Sequence, residues 1–125
     1  MYEVAVTRSF VAQHFLTVPD PGPEGRLHSH QFTVESRFAG PELDEYGYLV
    51  DIDDLSEAVE ATTESLRDVT LNELPAFEGT NPSAERLAGV FADRLLDRIR
   101  PPAANRLTVC IREDDVATVA HERPL

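Results

Sequence analysis

The chain has 125 residues and a formal net charge of −12, from 23 Asp and Glu against 11 basic residues, every one of them arginine. That is the length of one domain with a real core, and so acidic a surface repels polynucleotides and anionic lipid, which argues against nucleic-acid and membrane-surface roles. A single cysteine excludes an intrachain disulfide and a thiolate metal cluster, so any metal must rely on histidine and carboxylate.

The opening residues, MYEVAVTRSF, lack the pattern of a secretory signal, and no later apolar stretch approaches the roughly 20 residues that span a bilayer. A soluble, cytoplasmic protein is expected. Arginine without lysine, together with acids spread along the whole chain, fits a high-salt cytoplasm. GC-rich codon usage would explain the arginine but not the acidic excess.

From Tyr2 to Leu16 the even positions read Tyr, Val, Val, Arg, Phe, Ala, His, Leu, a mostly apolar alternation that predicts a half-buried strand with His14 on its inner face. Val18–Gly25, VPDPGPEG, is turn punctuation. His28 to Phe38 alternates again, with His28, His30, Phe32, Val34, Ser36 and Phe38 on one face, and the two strands form a natural antiparallel pair. Pro41–Gly47 reads as a turn and Tyr48–Asp51 as a short extension. Asp54 followed by Glu57 has capping-box spacing, and Leu55, Ala58, Val59, Thr62 and Leu66 fall on one helical face. A loop through Pro75, Gly79 and Pro82 leads to Ser83 as N-cap of a second helix lined by Leu87, Ala88, Phe91, Leu95 and Ile99 and ended by Pro101-Pro102. Leu107, Val109 and Ile111 mark a third strand, and Val116–His121 returns as a fourth after an Asp114-Asp115 turn. The order is ββααββ within a single domain over residues 1–125.

His28 and His30, two apart on a strand, leave the same face about 7 Å apart at the Cα atoms, within reach of one ion. His14, on the inner face of the neighbouring strand, can supply a third nitrogen. Three protein nitrogens leave a zinc ion an open position for water or substrate, the catalytic and not the sealed structural arrangement. A His-x-His pair without metal is the plainer alternative.

These motifs, taken in order, resemble the 6-pyruvoyl-tetrahydropterin synthase and 6-carboxytetrahydropterin synthase family over nearly the whole chain. The anchors are Ser9-Phe-Val-Ala-Gln-His14, Gly25-Arg-Leu-His-Ser-His30, Gly47-Tyr-Leu-Val-Asp51, Leu71-Asn72, Asn81-Pro-Ser-Ala-Glu85 and the strand ending at Glu113. The resemblance implies an α+β tunnelling fold (T-fold), in which an antiparallel four-stranded sheet with two helices oligomerises into a barrel, as a trimer or hexamer. It implies Zn2+ on His14, His28 and His30. It also implies that Glu113 holds the guanidine-like edge of a pterin, with Ser83 and Glu85 beside it, although both equally suit the first turn of a helix.

Departures from the family pattern bear on the chemistry. The synthase cysteine, four residues before the first histidine of the His-x-His pair, is Glu24 here, and the family's Asp-His pair is Arg67 and Asp68. Glu24, with Asp68 as second candidate, is therefore expected to move protons. The implied activity is that of a lyase on the side chain of 7,8-dihydroneopterin or its triphosphate. Relatives with glutamate in place of the cysteine are associated with 6-hydroxymethyl-dihydropterin, a folate-type precursor, and relatives with the cysteine with 6-pyruvoyl- or 6-carboxy-tetrahydropterin, the latter on a deazapurine route. A zinc-loaded pterin or purine binding protein without turnover is the alternative. Cys110 is expected to serve packing and His121 to lie on the surface.

Overall fold

A computed structural model describes residues 1–125. Four strands, β1 (Tyr2–His14), β2 (His28–Gly40), β3 (Arg106–Glu113) and β4 (Ala117–Pro124), form one antiparallel sheet in the order β1-β2-β3-β4. Two helices, α1 (Ile52–Glu64) and α2 (Ala84–Leu96), cover one face, α1 against β1 and α2 against β3 and β4. No helix is long and apolar enough to cross a membrane.

The alternation read from the sequence sets which face is covered. Val6, Phe10, Ala12 and His14 of β1 and Phe32, Val34, Ser36 and Phe38 of β2 are all buried toward the helices. All but His14 and Ser36 meet Leu55 and Val59 of α1, Leu87, Phe91 and Leu95 of α2, and Leu107 and Ile111 of β3 in one apolar cluster. Leu66 also enters that cluster, although α1 ends at Glu64, because the turn after the helix folds it inward. The opposite face carries Thr7, Ser9, Thr33, Glu35, Arg37, Thr108 and Cys110, and no element covers it. Cys110, between Glu35 and Ala120, is half-buried there.

Several boundaries differ from the sequence expectation. β1 stops at His14, two residues early, because Phe15 turns away to pair with the Asn72 amide. Tyr48–Asp51 is not a strand extension. The Asp44 carboxylate accepts the N–H groups of Tyr46 (2.8 Å) and Tyr48 (2.9 Å), a side-chain-closed turn that curls the segment and drops Leu49 and Val50 into the core. The N-cap of α1 is Asp51 and not Asp54, since Asp51 has the extended backbone a cap requires and its carboxylate accepts from Asp53 N–H (2.8 Å) and Asp54 N–H (3.3 Å). Ser83 does cap α2, accepting from Arg86 N–H. The loop before it forms short 3-10 turns at Leu71–Glu73 and Pro75–Phe77, the second of which buries Phe77. β4 runs three residues past His121, and His121 accepts from the Arg123 guanidinium at 3.0 Å.

Candidate metal centre

The end of β1 and the start of β2 meet in register, with His14 opposite His28 and Ala12 opposite His30. The three imidazole centroids are 4.6, 4.7 and 5.1 Å apart, and one ring nitrogen from each lies within 4.8 Å of the other two. His14 is 3% exposed, and burial lowers its pKa against the opposing pull of the Pro82 carbonyl, which favours the neutral ring.

Every ring is oriented from behind. His14 Nδ1 donates to the Pro82 carbonyl (2.8 Å), His28 Nδ1 to the Arg26 carbonyl (2.7 Å), and His30 Nδ1 pairs with the Asp114 carboxylate. A carbonyl oxygen only accepts, so in the first two rings Nδ1 carries the proton and Nε2 is left with a free lone pair. The Nε2 atom of His28 is buried without a hydrogen-bond partner, and that of His30 is buried with only the Glu113 carboxylate near it, outside hydrogen-bond geometry. An orphaned buried acceptor costs about 1–3 kcal/mol, and a cation between the rings removes that cost. Three convergent nitrogens, each steadied through its other ring nitrogen, fit a zinc ion with an open position.

Two carboxylates border the histidines. Glu113, the last residue of β3, places Oε1 3.1 Å from His30 Nε2. Glu24 lies on a 3-10 turn, Gly22–Gly25, whose Glu24 carbonyl accepts Leu16 N–H (2.8 Å) and so ties the turn to the chain leaving β1. Its carboxylate, with Glu113 and His30, forms a second group of ligand atoms within 4.8 Å of one another.

The other sequence candidates lie differently. Asp68, in a left-handed turn after α1 with its N–H on the Val11 carbonyl (2.7 Å), belongs to neither group. Arg67 is paired with Glu64. Ser83 is occupied by its cap, although the preceding Pro82 carbonyl steadies His14. Glu85 lines a groove between α2 and β4 with Arg86, His121 and Arg123. Asn72 and Asn81 are ties: Asn72 brackets Phe15 with two bonds (3.0 and 2.9 Å) and Asn81 accepts Thr17 N–H (2.9 Å), which fixes the chain between His14 and Glu24. A groove of about 400 Å³ lined by Tyr2, Val4, Leu43, Tyr48 and Ile52 sits at the far end of the β1–β2 ribbon, because Tyr2 pairs with Gly40 whereas His14 pairs with His28. Asp114 is the residue that sequence reasoning missed. It read only as a turn, and its role needs the register that sets Glu113 opposite Phe32.

No curated protein sequence matches the chain. Among solved structures, 6-pyruvoyl tetrahydropterin synthase from Plasmodium vivax superposes with a TM-score of 0.84 at 19% identity, covering 99% of this chain and 98% of that one. A variant of that enzyme, with a glutamate described as a catalytic residue replaced by alanine, gives 0.82 at 18% identity with 99% and 98% covered. The Caenorhabditis elegans enzyme gives 0.79 at 20% identity, covering 98% and 97%. At these identities the likeness establishes the fold, a four-stranded antiparallel sheet with two helices shared with pterin enzymes. The sequence model for 6-pyruvoyl tetrahydropterin synthase matches residues 3–124, nearly the whole chain, and this chain belongs to that family.

Proposed function

We propose that this chain is a zinc-dependent enzyme acting on the side chain of 7,8-dihydroneopterin or its triphosphate, with cleavage to 6-hydroxymethyl-dihydropterin favoured over the synthase reactions. The observation that carries this reading is the convergence of the His14, His28 and His30 nitrogens beside the Glu24 and Glu113 carboxylates. His14, His28 and His30 would hold the zinc ion, which would supply Lewis-acid polarisation of the substrate.

The protein's own groups then divide the work. Glu113 accepts the two parallel N–H bonds of the pterin's amino-pyrimidinone edge, which orients the side chain toward the histidines. Glu24 takes the proton from a side-chain hydroxyl, which becomes the carbonyl of a departing aldehyde as the neighbouring carbon–carbon bond breaks, and returns that proton to the carbon on the pterin that keeps the electron pair. Family membership supports a pterin enzyme of the lyase type, and the glutamate described as a catalytic residue in the Plasmodium vivax relative is a precedent for a catalytic carboxylate on this fold. The working unit is a multimer, because β1 and β4 are free edges and one sheet face is uncovered. Sedimentation at high salt checks this, and an active monomer contradicts it.

One observation favours a second reading, a binding protein without turnover: of the three positions that match the family's proton relay, Asp68 stands outside both ligand groups and Arg67 is already paired, which leaves Glu24 alone to carry the proposed role. Zinc-loaded protein incubated at high salt with dihydroneopterin and with its triphosphate, followed by mass analysis of products, separates the readings. Product of hydroxymethyl mass supports the lyase, pyruvoyl or carboxy product the synthase, and none the binder.

A further inference from the structure

The three histidines are not supported alike. Two lean on backbone carbonyls, those of Pro82 and Arg26, whereas His30 leans on the Asp114 carboxylate. A carbonyl is a neutral acceptor that fixes a ring's orientation. A carboxylate fixes orientation too, and it also draws the Nδ1 proton toward itself and pushes electron density onto Nε2, which makes the ring a stronger donor.

Asp114 is itself held firmly. Its Oδ1 accepts Gln31 N–H at 2.9 Å while its own N–H donates to the Gln31 carbonyl at 2.9 Å, a reciprocal pair that clips the β3–β4 hairpin onto β2 one residue past His30. The remaining oxygen, Oδ2, meets His30 Nδ1. The backbone at Asp114 and Asp115 is left-handed, with φ of 51° and 56°. Glycine and asparagine suit such positions at least as well as aspartate, so the turn alone does not require a carboxylate at position 114. Asp115, next in the turn, reaches only Arg112 at 3.4 Å and does not touch the histidines.

We propose that Asp114 is a positioning residue of the metal site, which locks the His30 ring and strengthens it as the dominant donor of the three. This rests on the metal reading above. Asp114 lies outside both ligand groups, so it acts through His30 and not on the ion directly.

The test is zinc affinity of the full chain, measured by competition with a chelating indicator, together with the visible absorption of the cobalt-substituted protein. Wild type binds one zinc per chain. Asp114→Asn, which keeps an acceptor for Gln31 N–H and tolerates the left-handed backbone, weakens zinc by about 10–100-fold with an unchanged far-ultraviolet circular dichroism spectrum. The cobalt absorption bands of this variant shift from those of wild type. Asp114→Gly, suited to the turn without any side chain, weakens zinc at least as much. Asp115→Asn, which removes an equal charge from the same turn, binds as wild type does. Wild-type affinity in both Asp114 variants overturns the proposal, and so does equal weakening by Asp115→Asn, which would reduce the effect to local charge. A wild-type chain that takes up no zinc overturns the metal reading itself, a result distinct from either.

Discussion

Glu113 Oε1 and His30 Nε2 lie 3.1 Å apart, so the carboxylate assigned to the pterin edge borders the very nitrogen assigned to the ion. Substrate holding and metal holding are thus adjacent but separable. Glu113→Gln is expected to weaken pterin binding by about tenfold or more, the loss of a charge-assisted hydrogen bond of about 1.5–3 kcal/mol, while zinc content stays at one per chain. Calorimetric titration with a pterin and metal analysis of the same samples check it. Unchanged pterin affinity would return Glu113 to the role of a solvated acid at a strand end.

Removing either His28 or His30 should cost most of the bound zinc, since two imidazoles leave too few protein ligands for a stable site. Metal content after dialysis, measured on His28→Ala, His30→Ala and the double variant, is the readout. Full occupancy in the double variant is the result that rules the assignment out.

Glu24→Gln is expected to retain zinc and pterin and to lose turnover by about 10²–10⁴-fold, the usual contribution of a positioned acid–base group. Glu24→Cys should move residual product toward the synthase type. Turnover of Glu24→Gln at the wild-type rate would rule Glu24 out as the proton carrier.

Salt should raise the melting temperature, because it shortens the range of repulsion among 23 carboxylates opposed by only 11 arginines. The screening length falls from about 10 Å at 0.1 M to about 3 Å at 1 M, so most of the gain should come below the upper value. Scanning calorimetry in potassium chloride tests this, and equal melting temperatures favour codon usage over a saline habitat as the origin of the composition.

The parts of the molecule that follow from periodicity were legible in the sequence. One covered sheet face forces Val6, Phe10, Ala12 and His14 into a single phase, and the same rule on β2 brings His28 and His30 to the same side, so the three-histidine grouping follows from strand phase and pairing. What side chains do to the backbone locally was less legible. Asp44, Asp51, Asp53 and Asp54 are chemically alike, and only the path of the chain decides that Asp44 closes a turn and Asp51 caps a helix. Asp114 was hidden for a third reason: its partners, His30 and Gln31, are more than 80 positions away, and no local pattern marks such a pairing.

That separation has a kinetic meaning. His14 is steadied from 68 positions away by Pro82, and His30 from 84 positions away by Asp114, so the set of supports closes only when the last hairpin docks on β2. During synthesis or refolding the chain must gather its two ends before the three rings are held in place, and contacts of such long sequence separation form late. Zinc is therefore expected to leave the folding rate nearly unchanged and to slow unfolding, acting as a latch on the finished sheet and not as a template for it.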